Sequence, residues 1–139
     1  MKFQIPGTPV AKGRPRFARV GGFTRAFTPA KTHRFESLVA LAAQAAGVEM
    51  MDGPLCVTIR AIFPMKGSPL KRSTRPAAWK TTKPDIDNVV KAILDGLEGV
   101  AFKADSAVVE IHASKIHAAQ GDAPMTIVDI QPAQGDPDA

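Results

Sequence analysis

A chain of 139 residues with a net charge of +5 and one cysteine is long enough for a packed domain and excludes an intrachain disulfide framework. Its pI of about 9.7 points to a polyanionic partner only if the basic charge is segregated along the chain. No apolar run approaches the roughly 20 residues of a membrane span, and the start "MKFQIPGTPVAKGRPRF" has no signal-peptide core, so a soluble cytoplasmic protein is expected.

"MKFQIP" alternates Met1, Phe3 and Ile5 and stops at Pro6, which predicts a short strand. The basic charge is then segregated. Lys12, Arg14, Arg16, Arg19 and Arg25 occupy an arm with no acid in it, a footprint suited to nucleic acid. Within that arm "RFARVGGFTRAF" sets Gly21 and Gly22 between two runs that are basic and aromatic together, predicting a hairpin. Thr28 and Pro29 offer an N-cap and a first helical residue, and Phe35, Leu38, Val39, Ala42 and Ala46 recur at the helical period up to Gly47.

"LCVTIRAIF" places Leu55, Val57, Ile59, Ala61 and Phe63 on one side of a half-buried, central strand. Pro64 to Lys83 has prolines at 64, 69 and 76 and a second acid-free basic block, Lys66, Lys71, Arg72, Arg75, Lys80 and Lys83. It reads as a long loop, either disordered or ordered by its ligand. Trp79 inside it stacks on a base or pins the loop to the body, and the pin is the preferred reading. Farther on, "AVVEIHASKIH" and "PMTIVDI" predict two strands, expected to pair antiparallel about the Gly121 turn. These elements imply an α+β (mixed α/β) fold, a small mixed sheet against two main helices, in a single domain over residues 1–131 with a polar tail over 132–139.

The basic chain nevertheless gathers acids in "KPDIDNVVKAILDGLEGVAFKADSAVVE", residues 83–110. Ile86, Val89, Val90, Ile93, Leu94 and Leu97 form the apolar stripe of an amphipathic helix, whose other face carries Asp87, Lys91 and Asp95. Taken singly, Asp85 is explained as an N-cap, Asp87 as a first-turn acid and Lys91 as an ion-pair partner. The combination with Asp105, at the turn into the next strand, points further. Converging carboxylates repel unless a cation neutralises them, and magnesium takes oxygen ligands together with substrate phosphates. Zinc is disfavoured, because His33, His112 and His117 lack ligand spacing and cysteine is absent from the segment. A metal on Asp85, Asp87 and Asp105, with Lys91 beside it, suits phosphodiester hydrolysis, while the basic arms attract the polyanion.

In "IPGTPVAKGRPRF", "FTPAKTHRFE" and "KPDIDNVVKAILDGLEG" with its "ADSAV" continuation, the chain resembles the RusA family of Holliday junction resolvases over nearly its full length. The resemblance implies a homodimeric, magnesium-dependent endonuclease, with manganese as a substitute and no organic cofactor or membrane partner. It would cut branched, four-way DNA by paired symmetric nicks in recombination and repair. It assigns catalysis to Asp85, Asp87, Lys91 and Asp105, and metal ligation to Asp85, Asp87 and Asp105. Lys12, Arg14, Arg16, Arg19, Arg25 and Lys83 are the expected DNA contacts. Where the family usually has Asp-Asp-Ser-Gln, this chain has Ala104-Asp105-Ser106-Ala107, leaving Asp105 as the one acid of that turn. Competing readings are a non-catalytic branched-DNA-binding dimer and a nuclease with broader flap or fork specificity.

Overall fold

The structure, a computed structural model, describes residues 1–13, 16–27 and 29–138, without the side chains of Arg16, Val20, Arg25 and Phe27. Strands β1 (Lys2–Pro6), β4 (Leu55–Phe63), β5 (Ala78–Trp79), β6 (Val108–His117) and β7 (Met125–Pro132) form a mixed sheet in the order β1-β7-β4-β6-β5. β2 (Arg16–Val20) and β3 (Phe23–Phe27) form a separate antiparallel hairpin, and α1 (Ala30–Ala45) and α2 (Ile86–Leu97) are the two helices. This is the expected α+β architecture.

The alternation in β4 sets the layering. Leu55, Val57, Ile59, Ala61 and Phe63 are buried, and Cys56, Thr58, Arg60 and Ile62 point to the other face. The buried face joins Ile5, Val128 and Ile130 from neighbouring strands to Phe35, Val39, Ile93 and Leu97 from the helices in one core. Among the described residues, the opposite face carries no helix. β4 is central, as expected, pairing parallel with β6 and antiparallel with β7.

That placement corrects the expected pairing of β6 with β7, since β4 lies between them. Reaching the far side of β4 spans two strand spacings, about 10 Å, which a tight hairpin cannot do and the connection over residues 118–124 can. The same connection organises the basic loop. Gln120 Oε1 accepts hydrogen bonds from the Leu70 and Arg75 amides (2.9 and 3.0 Å), its Nε2 donates to Leu70 O, and its own amide donates to Arg75 O. Gln120 therefore ties down a loop that the sequence reading left as either disordered or ordered by its ligand.

Trp79 also departs from expectation. In β5 it pairs with Ile116, so alternation sends its side chain toward the face without helices, where it is 70% exposed. The backbone pins the loop and the indole does not.

In α1 the buried residues are Thr32, Phe35, Val39 and Ala43. Leu38 and Ala46, expected on that stripe, are exposed, Leu38 by 48%. The reason lies in α2. A Cβ on Gly96 would stand 2.7 Å from Val39 Cβ and 2.9 Å from Glu36 O. The helices thus cross closely at one point, and the buried row runs along 35, 39 and 43, turning Leu38 outward. Pro29 occupies the cap position and the helix begins at Ala30, one residue later than expected. The expected cap at Thr28 lies outside the described residues.

Candidate active site

The amphipathic stripe of α2 buries Val89, Ala92, Ile93, Leu94, Gly96 and Leu97, which turns its polar edge to solvent. Asp85 holds the N-cap position with extended backbone, and its carbonyl accepts hydrogen bonds from the Asn88 and Val89 amides. Its carboxylate makes no capping bond. The simplest single-residue explanation for this acid, a side-chain cap, is therefore not what the helix uses. Asp87, in the first turn, is exposed, and neither carboxylate has an ion-pair partner among the described residues.

Both acids open onto a cleft of about 700 Å³ lined also by Trp79, Lys80, Ile86, Ala113, Ser114 and Lys115. Lys115 reaches from β6 to donate to Thr82 O (3.0 Å) and Pro84 O (2.6 Å), and the Lys80 amide donates to Lys115 O. This clamps the segment leading into α2, whose Lys83–Pro84 peptide is cis. A second cleft, of about 780 Å³, shares Lys80 and ends at Lys83 and Pro84 beside Asp85. Thr8, Val10, Gly13, Lys31 and Thr32 line its other end. Together they make a surface path from the base of the N-terminal arm to the two acids.

Asp105 lies in a short 3-10 turn, Asp105–Ala107, just before β6. Its Oδ2 is 3.2 Å from Lys91 Nζ, which is 2.9 Å from Asp95 Oδ1. The structure thus joins Lys91 to Asp105, and Asp85 to Asp87 across one cleft. It does not bring the three acids into one cluster: among the described residues, the one trio of potential ligand side chains with donor atoms mutually within 4.8 Å lies elsewhere, at Cys56, Glu110 and His112.

Lys12 has a role that sequence reasoning missed. Its ammonium bridges Glu36 of α1 (2.7 Å) and Asp95 of α2 (2.9 Å), and its amide donates to Asn88 O. One residue on, the Gly13 amide donates to Thr32 Oγ1, where a Cβ would come within 3.0 Å of Pro29 Cγ. The "AKG" stretch is therefore wedged against both helices. An alternating row of charges results, Glu36–Lys12–Asp95–Lys91–Asp105.

Titration follows from that row. Burial pushes the Asp95 carboxyl up, but hydrogen bonds from Lys12 and Lys91 outweigh it and hold the group below its ordinary value. For Lys12, burial lowers the ammonium and its bonds to Glu36 and Asp95 more than reverse that. Lys91 is raised by its hydrogen bonds to Asp95 and then Asp105. The signal available in sequence was Asp95, four residues beyond Lys91, whose second cation, Lys12, comes from a distant segment.

Of the remaining expected DNA contacts, Arg19 is exposed on the hairpin and Lys83 is exposed on the second cleft. Arg14 and the side chains of Arg16 and Arg25 lie outside the description. Phe17 and Phe23, on opposite faces of the hairpin, are 72% and 77% exposed, so these two aromatic residues do not serve the core.

Exposed carboxylates beside lysines, without an ion-pair partner among the described residues, on a small α+β fold with a basic arm suit a protein that handles phosphodiesters. Comparison with known proteins narrows the class. The family described as "Endodeoxyribonuclease RusA" matches residues 6–131. The "Uncharacterized protein YqaN" of Bacillus subtilis (strain 168) is 36% identical over 125 residues, 85% of this chain and 88% of that protein. The chain belongs to the RusA family of endodeoxyribonucleases.

Proposed function

We propose that this protein is a magnesium-dependent, structure-selective DNA endonuclease that resolves four-way junctions as a homodimer, each subunit nicking one strand. One observation carries the reading: Asp85 and Asp87 present carboxylates to a single cleft at the start of α2, spent on neither a cap nor an ion pair. A donor set made only of carboxylate oxygens, open to solvent and phosphate, fits a hard cation that uses one or two protein carboxylates. When bound, magnesium supplies Lewis-acid polarisation of the scissile phosphate and of water.

The chain's own residues do the rest. Asp85 and Asp87 would hold the ion, and Asp105, which pairs with Lys91, is the remaining acid that the family resemblance assigns to it. Lys91, hydrogen-bonded to two carboxylates, acts as a fixed cation toward the charge that builds on the phosphate. Lys80, Lys83 and Lys115 line the path to the acids and, with Arg19 on the arm, draw the DNA backbone to a site that would otherwise repel it. A twofold dimer matches a twofold junction.

The pairing of Asp105 with Lys91 favours one competing reading, a non-catalytic junction-binding module. Asp87→Asn separates them. Synthetic four-way, forked and linear DNAs are incubated with magnesium, and binding is followed separately in calcium. The expected result is junction nicking by the wild type, lost by more than about 100-fold in the variant, with junction binding retained. A wild type that binds junctions yet nicks no DNA with magnesium or manganese establishes the binding module instead.

A further inference from the structure

The face of the sheet without helices carries a donor set of a different kind. In the parallel register of β4 and β6, Cys56 lies opposite Glu110 and Thr58 opposite His112. Alternation therefore puts Cys56, Glu110 and His112 on one face. A Cys56 sulfur, a Glu110 carboxylate oxygen and a His112 ring nitrogen lie within 4.8 Å of one another, and His112 Nε2 is 3.8 Å from Glu110 Oε2. Cys56 is half-buried in the central strand, whereas Glu110 and His112 are exposed. One ligand is thus fixed and two are free to adjust.

The distances suit a small tetrahedral ion. Metal–ligand bonds of about 2.0–2.3 Å put neighbouring ligand atoms about 3.3–3.8 Å apart. The glutamate–histidine edge, at 3.8 Å, has to shorten by a few tenths of an ångström, and turning two exposed side chains does that and closes the edges to sulfur. We propose that Cys56, Glu110 and His112 form a transition-metal site of the zinc class, with water as the fourth ligand. Thiolate and imidazole select zinc or cobalt over magnesium, and the all-oxygen set at Asp85 and Asp87 has the reverse preference. The cleft holding those acids shares no lining residue with this trio, so the two donor sets sort their ions independently.

Histidine spacing along the chain disfavoured zinc. The register overrides that argument by bringing up Cys56 from another strand. Binding displaces the thiol proton to solvent, so affinity rises with pH. The ion would tie β4 to β6 beside the register shift between Leu55 and Cys56, and through Glu110, five residues beyond Asp105, it would brace the strand that follows that acid.

The test is a cobalt titration of the full chain, reduced and stripped with chelator, in excess magnesium. The expected outcome is one cobalt per chain, with tetrahedral visible bands and a thiolate-to-cobalt band in the near ultraviolet, both abolished by added zinc. Cys56→Ser removes the thiolate band. His112→Ala and Glu110→Gln, at exposed positions, each weaken uptake at least tenfold, since losing even an outer partner costs roughly 10–100-fold. Far-ultraviolet circular dichroism confirms that these variants are folded, and His112→Gln serves as a second imidazole deletion. Asp87→Asn leaves the titration unchanged. Absence of the thiolate band in the wild type, uptake unaffected by both histidine variants, or uptake lost in Asp87→Asn would each overturn the site.

Discussion

Replacing Asp95 by asparagine removes the central anion of the row Glu36–Lys12–Asp95–Lys91–Asp105, and the structure sets the size of the effect. The substituted amide keeps one neutral acceptor where the carboxylate accepts from Lys12 and Lys91, each at 2.9 Å. Lys12 is mostly shielded from water, so weakening its bond costs about 1–2 kcal/mol. Lys91 is half-exposed, and its i,i+4 pair contributes only about 0.3–0.5 kcal/mol. The total is about 2 kcal/mol, and at about 3 °C per kcal/mol for a chain of this length Tm should fall by about 6 °C at pH 7.

The pH dependence supplies a second check on the same variant. Asp95 has a depressed folded-state value, so its contribution is full above its ordinary value of 3.8 and is lost as pH falls through the folded value. Lys12 and Lys91 are raised, so theirs is full below 10.5 and is lost as pH climbs past that. Calorimetric melts of wild type and Asp95→Asn should therefore differ by a constant amount from neutrality down to about pH 4 and converge below it. A drop of less than about 2 °C at pH 7, or a gap that persists unchanged in acid, would refute the charge-row reasoning.

Two further substitutions separate packing from function. Gly96→Ala should destabilise by about 1–3 kcal/mol in thermal or urea melts despite a helix-propensity gain of about 1 kcal/mol, because the new Cβ meets Val39 Cβ at 2.7 Å and the Glu36 carbonyl at 2.9 Å; unchanged or higher stability would show that the helices separate freely. Trp79→Ala should shift stability by less than about 0.5 kcal/mol, since the indole is exposed, yet weaken DNA binding by about tenfold if it stacks on a base; a large Tm loss in place of a binding loss would restore the pin.

Local pattern was legible wherever one face of an element meets one environment. The alternation in Leu55–Phe63 matches the observed burial, and so does the α2 stripe from Val89 onward, with Val90 half-buried and Ile86 at the helix start exposed on the cleft, because a strand or helix with one apolar face has a single way to bury it. The acids and lysine from Asp85 to Asp105 stand out in the sequence through the family resemblance, but their grouping does not: Asp85 and Asp87 line one cleft, whereas Asp105 pairs with Lys91. Sequence could not give the order of the sheet, since β6 and β7 carry no mark of the strand that comes between them. Leu38, Trp79 and Lys12 were misjudged because their surroundings come from other elements: a close helix crossing at Gly96, a sheet face with no covering layer, and two acids contributed by separate helices. Side-chain chemistry and period are properties of a segment, and the chain states them outright. Which segments meet is fixed only by folding, and that decided where Lys12 spends its charge and which side chains stand beside Cys56.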